Sequence, residues 1–297
     1  MDVTTALDRV LRHALVVRVG SVGGFGVDGE IRVDLADPAE SATLRTAMAV
    51  NELPGGHCMC GGDVRFEFYD GDDGDAGDAV RLAVVVLHHG AALRWDQWEG
   101  DAVLTDGHLL LEWLDGHGMP GPLHEFEAAR QQATREASRQ RAWVAAVPAG
   151  LEGAVDRILD LSWSGRTASP ELLEELTDRL RLTLPDPVER VLALLAWYGS
   201  GSGRCSGQPL HEDVPGQLLG RVPMADLIAA LADARAGARH DDGAVRHLVG
   251  HRTRPRQKRD VARLPDQLRA RLLTHARGSW DSDKRGRAER RLAPPRA

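Results

Sequence analysis

Lysine is nearly missing from this 297-residue chain. Only Lys258 and Lys284 occur, so almost all of its 37 basic residues are arginine. That scarcity excludes a Walker-type phosphate loop, because neither lysine follows a glycine or precedes a serine or threonine. Arginine in place of lysine, with abundant Ala, Gly and Asp, looks like a habit of GC-rich coding and carries no function. Aromatic residues make up 4% of the chain, and seven of these thirteen are Trp. There are three cysteines, two of them in a Cys-x-Cys, which is too few for a disulfide framework. A reduced, cytoplasmic protein is the expectation. Long hydrophobic runs are also missing. Residues 80–87 form the longest apolar stretch, Arg81 interrupts it, and a membrane span needs about 20 residues. The start, Met1-Asp2-Val3, has no basic region or cleavage site of a signal peptide. No membrane partner is expected. G-x-S-x-G, H-E-x-x-H and C-x-x-C do not occur, which removes the commonest hydrolase, metalloprotease and dithiol signatures.

Charge is unevenly spread. The formal net charge is −7, yet residues 251–297 carry fifteen Arg/Lys against five Asp/Glu. Basic tails can bind nucleic acid, but Trp280 is the only aromatic residue there, so base stacking is poorly supplied. The plainer reading is a pair of Arg-rich amphipathic helices closing the fold, with a frayed end at residues 293–297.

The 42% apolar and 27% charged residues describe a globular chain, long enough for two domains. The pattern over residues 1–120 predicts a small α+β domain on an antiparallel sheet. Strands are expected at 14–20, 29–35, 63–69 and 80–89, the last central and buried on both faces. Asp37-Pro38 reads as the N-cap and first position of a helix, and Thr105 or Asp106 as the cap of another. Residues 121–297 read as all-α, with a long amphipathic run at 125–147 and helices near 151–161, 170–182, 186–198, 223–236, 243–248, 265–276 and 282–292. In series these resemble, loosely, a HEAT-like stack, without a clean repeat period. The Gly/Ser segment 199–207 reads as a flexible surface loop. Two further runs fail as sites. Residues 24–29 fit G-x-G-x-x-G, but a strand follows where a nucleotide fold needs a helix. Asp70, Asp72, Asp73, Asp75 and Asp78 lack the order and closing Glu of a calcium loop.

What remains is one constellation. His57-Cys58-Met59-Cys60-Gly61-Gly62-Asp63 and Leu87-His88-His89-Gly90 flank the hairpin of 63–69 against 80–89. Pairing that sets Gly62 opposite His88 brings the two runs to one end of the sheet. Cys58 and Cys60, two apart, share a face on a regular strand, whereas His88 and His89 point to opposite faces, so one histidine should join the thiols and His57 should point away. Glycines 61, 62 and 90 permit a bulge or unusual turn that changes this. Thiolate and imidazole together suit zinc, with His57, Cys205, His211 or water as the fourth ligand. A metal-free thiol–imidazole pocket and simple packing are the other readings. Just downstream, Arg94 can fork onto a carboxylate or phosphate, with Trp95 or Trp98 walling a binding pocket. Equally, Arg94 can pair with Asp63, Asp96 or Asp101, leaving the Trp rings in a core. The expectation is a binding or interaction protein. Its helical half presents a surface to a protein partner, and its Cys/His site is of the kind that holds zinc. The alternative is an enzyme using the Cys/His/Arg cluster at the domain junction for metal-assisted or thiol chemistry. Nucleic-acid binding through residues 251–297 is the weaker one.

Overall fold

In the computed structural model, residues 3–22, 29–53, 55–71, 79–250 and 254–293 are described. The G-x-G-x-x-G run at 24–29, the aspartates at 72–78 and the chain end at 294–297 lie wholly or mostly outside them. Alternation builds the first half. Val64, Phe66 and Phe68 are fully buried while their neighbours Arg65, Glu67 and Tyr69 are not, as a strand with one buried face requires. Among the described residues, seven strands form one antiparallel sheet: β1 (Val16–Ser21), β2 (Ile31–Asp34), β3 (Val50–Glu52), β4 (Val64–Tyr69), β5 (Arg81–His88), β6 (Ala92–Trp95) and β7 (Ala102–Leu104). Their spatial order is β2-β1-β4-β5-β6-β7-β3. Strand β5 is central, as expected, but alternates: Ala83, Val85 and Leu87 are buried, and Leu82, Val84 and Val86 are half-buried. Burial on both faces is therefore corrected to burial on one. The other face carries Arg18, Glu67, Tyr69 and Arg81, with Arg18 over the Tyr69 ring at 5.3 Å and Arg65 and Arg81 paired to Glu67.

Helices α1 (Val3–His13), α2 (Pro38–Ala47) and α3 (Gly107–Gly116) complete this core. Leu7, Leu11, Leu44, Leu110 and Leu114 share it with the sheet. Asp37 caps α2 through Ala39 N–H, with Pro38 following. Asp106 rather than Thr105 caps α3, accepting from His108 N–H at 3.0 Å.

The chain divides into two compact units, Met1–Ala133 and Thr134–Ala297. The division falls inside helix α4 (Gly121–Ala145). The expected amphipathic run is not amphipathic: residues 127–138 are exposed all round, because alanine is their only apolar type. The second unit is helical: α5 (Val155–Trp163), α6 (Pro170–Thr183), α7 (Pro187–Tyr198), α8 (Val214–Leu219), α9 (Met224–Ala232), α10 (Ala238–Val249), α11 (Arg254–Ala262), α12 (Asp266–Arg277) and α13 (Ser282–Leu292). They gather about α7 and α10, which pack on each other. α8 and α9 also meet α7, while α12 and α13 meet α10. Gly199 and Gly243 permit this approach, since a Cβ on either would collide with the other helix backbone. Segment 199–207, expected as a flexible surface loop, instead has Ser202, Gly203 and Cys205 buried. Glu212 accepts from Ser202 N–H at 2.7 Å and from its hydroxyl at 2.8 Å, and pairs with Arg246 at 3.0 Å. No described helix is long and apolar enough to cross a membrane.

Candidate metal centre

Strand pairing brings the two runs together. Val64 pairs with Leu87, one residue away from the expected register, and Asp63 N–H donates to the Leu87 carbonyl at 2.7 Å. Residues 57–60 lie on the loop leading into β4 rather than on a strand. His88 ends β5, and the next two residues are left-handed: His89 has φ 53° and Gly90 φ 64°. Ala91 N–H closes that turn on the His88 carbonyl at 3.0 Å. The turn cancels the opposite-face rule for neighbouring strand residues, so both histidines meet the thiols. The expectation of a single histidine applies to a regular strand, and the turn at His89 and Gly90 is the irregularity that the glycines allow. His88 alone joins the mutually close group with the two thiols.

Cys58 Sγ and Cys60 Sγ are 3.1 Å apart. Cys60 Sγ is 3.1 Å from His88 Nδ1. His89 Nε2 lies 3.2 Å from Cys58 Sγ and 3.3 Å from Cys60 Sγ. The donor atoms of Cys58, Cys60 and His88 all lie within 4.8 Å of one another. A tetrahedral zinc with ordinary Zn–S and Zn–N bonds has edges of about 3.3–3.8 Å. The contacts of Cys60 with Cys58 and His88, and of His89 with both thiols, are a few tenths of an ångström tighter than those edges. The donor chemistry is right, but His89 stands outside the group of mutually close donor atoms. Gly62, at φ 91°, makes room for it. A Cβ there would collide with the Val86 side chain and stand 3.2 Å from His88 Nε2.

One buried carboxylate holds the thiol loop. Asp101 accepts from Cys58 N–H at 2.6 Å, from His57 Nδ1 at 3.0 Å, and from Arg94 Nε and Nη2 at 2.7 and 2.9 Å. Arg94 Nη2 donates on to the Cys58 carbonyl at 2.6 Å, and Nη1 to that of Cys60 at 3.4 Å. Arg94 is therefore turned inward onto the loop, and of its three anticipated acidic partners Asp101 is the one it meets. His57 faces Asp101. Trp95 and Trp98 are buried in the sheet core and pack edge-to-face at 5.5 Å. Cys205 and His211 belong to the helical unit, Cys205 in its apolar core and His211 hydrogen-bonded to Ser162 at 2.8 Å.

The electrostatics divide the two thiols. The backbone N–H and thiol of Cys60, with His89, bring the Cys58 thiol down to about 7, so part of it is thiolate at neutral pH. Facing Cys58 raises the Cys60 thiol. Burial lowers His88, favouring the neutral imidazole a metal needs, whereas the Cys58 thiol raises His89. The Arg94 guanidinium holds Asp101 well below the usual carboxylate range. His88 Nε2 is buried with no partner among the described residues. Ligation through Nδ1 would put the proton on that nitrogen. Asp101 was visible in the sequence only as one of several acids near Arg94, and nothing in the spacing marked it as the loop's anchor.

Compared with protein-family models, with curated proteins and with solved structures, the chain matches none.

Proposed function

We propose that the first unit holds one zinc ion at Cys58, Cys60 and His88, with His89 as the fourth ligand, and that the protein is a binding or interaction protein. The convergence of two thiols and an imidazole within 4.8 Å carries this reading, because Asp101 and Arg94 fix the thiol loop by its backbone as outer partners of metal sites do. Four protein donors describe a closed, structural site. The interaction half rests on the helical unit, where Trp163 is 89% and Leu182 85% exposed. Tryptophan is among the residue types enriched at the anchor points of protein interfaces. The three free cysteines suit a reducing, cytoplasmic setting.

A second reading is an enzyme in which Cys58 is a nucleophile and His89 its base, favoured by the lowered Cys58 thiol beside that imidazole. Metal analysis of untagged protein separates the two. About one zinc per chain, lost in Cys58→Ala/Cys60→Ala, supports the metal centre. Metal-free protein whose Cys58 alone alkylates rapidly at neutral pH would replace it with thiol chemistry.

A further inference from the structure

Residues of helices α11, α12 and α13 line an open cavity of about 760 Å³, within the size range of small-ligand pockets, about 300–1,000 Å³. Among the described residues, five cations line it: Lys258, Arg269, Arg287, Arg290 and Arg291. No described Asp or Glu shares the lining, and Val261, Ala262 and Ala293 add apolar surface to it. Three of the cations are held in place. Arg287 Nε meets Asp283 at 2.8 Å, Arg269 Nη2 meets Asp266 at 2.6 Å, and Arg291 Nη1 donates to the Val249 carbonyl at 2.6 Å. Lys258 and Arg290 are exposed and make no ion pair with a described residue. Both carboxylates sit outside the lining but offset part of the Arg287 and Arg269 charge, so the positive excess rests chiefly on Lys258 and Arg290. Like charges brought together in a concavity repel one another, and a bound polyanion relieves that repulsion.

We infer that this cavity is the binding site for a small molecule carrying two or more clustered phosphate groups. Guanidinium forks match phosphate oxygens in pairs, and cations from three helices can surround one compact anion. A nucleic-acid strand fits less well. Its binding surfaces run as a track with aromatic platforms, and no described residue of this lining is aromatic. The inference is independent of the metal centre, which lies in the other unit.

The test is calorimetric titration of the full chain with inorganic tripolyphosphate at low and at physiological ionic strength. Orthophosphate and a single-stranded oligonucleotide serve as comparison probes. One tripolyphosphate per chain is expected, bound at least about tenfold more tightly than orthophosphate. Lys258→Glu/Arg290→Glu should weaken it by at least about tenfold, and Lys258→Gln/Arg290→Gln by less. Both sites are exposed, and circular dichroism checks that the variants fold. Arg181→Glu, an exposed charge on α6 outside the cavity, should leave binding unchanged. Three results overturn the inference: no saturable binding at low ionic strength, equal loss in the Arg181 variant, or undiminished binding in the double reversal. An oligonucleotide that binds as tightly as tripolyphosphate would transfer the site to nucleic acid.

Discussion

Asp101 is 6% exposed and yet satisfied on both oxygens, by His57, Cys58 N–H and a two-point contact from Arg94. It fixes where the Cys58 thiol stands without touching it. Asp101→Asn keeps the shape but turns one acceptor oxygen into an amino group, which cannot serve both the Cys58 N–H and the Arg94 fork. Zinc affinity is expected to fall about 10–100-fold, the usual effect of losing an outer partner, read by competition with a chromophoric chelator. Unchanged affinity would separate the clamp from the metal centre. At this scale the Cys/His set was legible, because thiols and imidazoles at both ends of one hairpin are written in the chain. The approach of both His88 and His89 to the thiols was permitted by the neighbouring glycines but not fixed by the chain, because it depends on a left-handed His89 that spacing does not set.

The hairpin β4–β5 was readable because Val64, Phe66 and Phe68 alternate with polar neighbours. The helix starts at Asp37-Pro38 and Asp186-Pro187 were also readable, because an N-cap carboxylate and a proline state their own geometry. Segment 199–207 misleads for the opposite reason. Glycine and serine permit flexibility but do not impose it, and here distant partners remove it. Arg246 on α10, 2% exposed, donates to the carbonyls of Tyr198 and Arg204, pairs with Glu212, and lies 4.3 Å from the Tyr198 ring centre. Glu212 in turn holds Ser202. Glu212→Gln leaves a buried guanidinium without its counter-charge, a loss of about 3–5 kcal/mol when one partner of a buried pair is removed. Urea unfolding should show a lower midpoint at unchanged slope. A loss below about 1 kcal/mol would mean the carbonyls and the Tyr198 ring suffice.

The two units have separate hydrophobic cores with no residue in common. The proposed zinc lies against the sheet unit alone. Ligand bound only by the folded state stabilises it by about 2.7 kcal/mol at a hundredfold excess over Kd. Calorimetric unfolding with and without a strong chelator should therefore show one zinc-sensitive component, assigned to the sheet unit by its loss in Cys58→Ala/Cys60→Ala. Zinc-insensitive unfolding throughout would contradict a structural metal. Charge belongs to this scale as well. The arginine excess of residues 251–297 reads in the sequence as Arg-rich helices closing the fold, and it lies on α11–α13, whose side chains line one cavity.

The sequence by itself determined the class of the fold, an antiparallel sheet domain followed by helices, because side-chain periodicity and capping are local properties. It also marked which side chains suit a metal. The tertiary structure decided the strand order, the left-handed turn that brings His89 to the thiols, the burial of Arg246 with Glu212, and the gathering of Lys258, Arg269, Arg287, Arg290 and Arg291 on one cavity. Each of these joins residues distant in sequence or overrides a local preference, and only the packing of whole elements sets those relations.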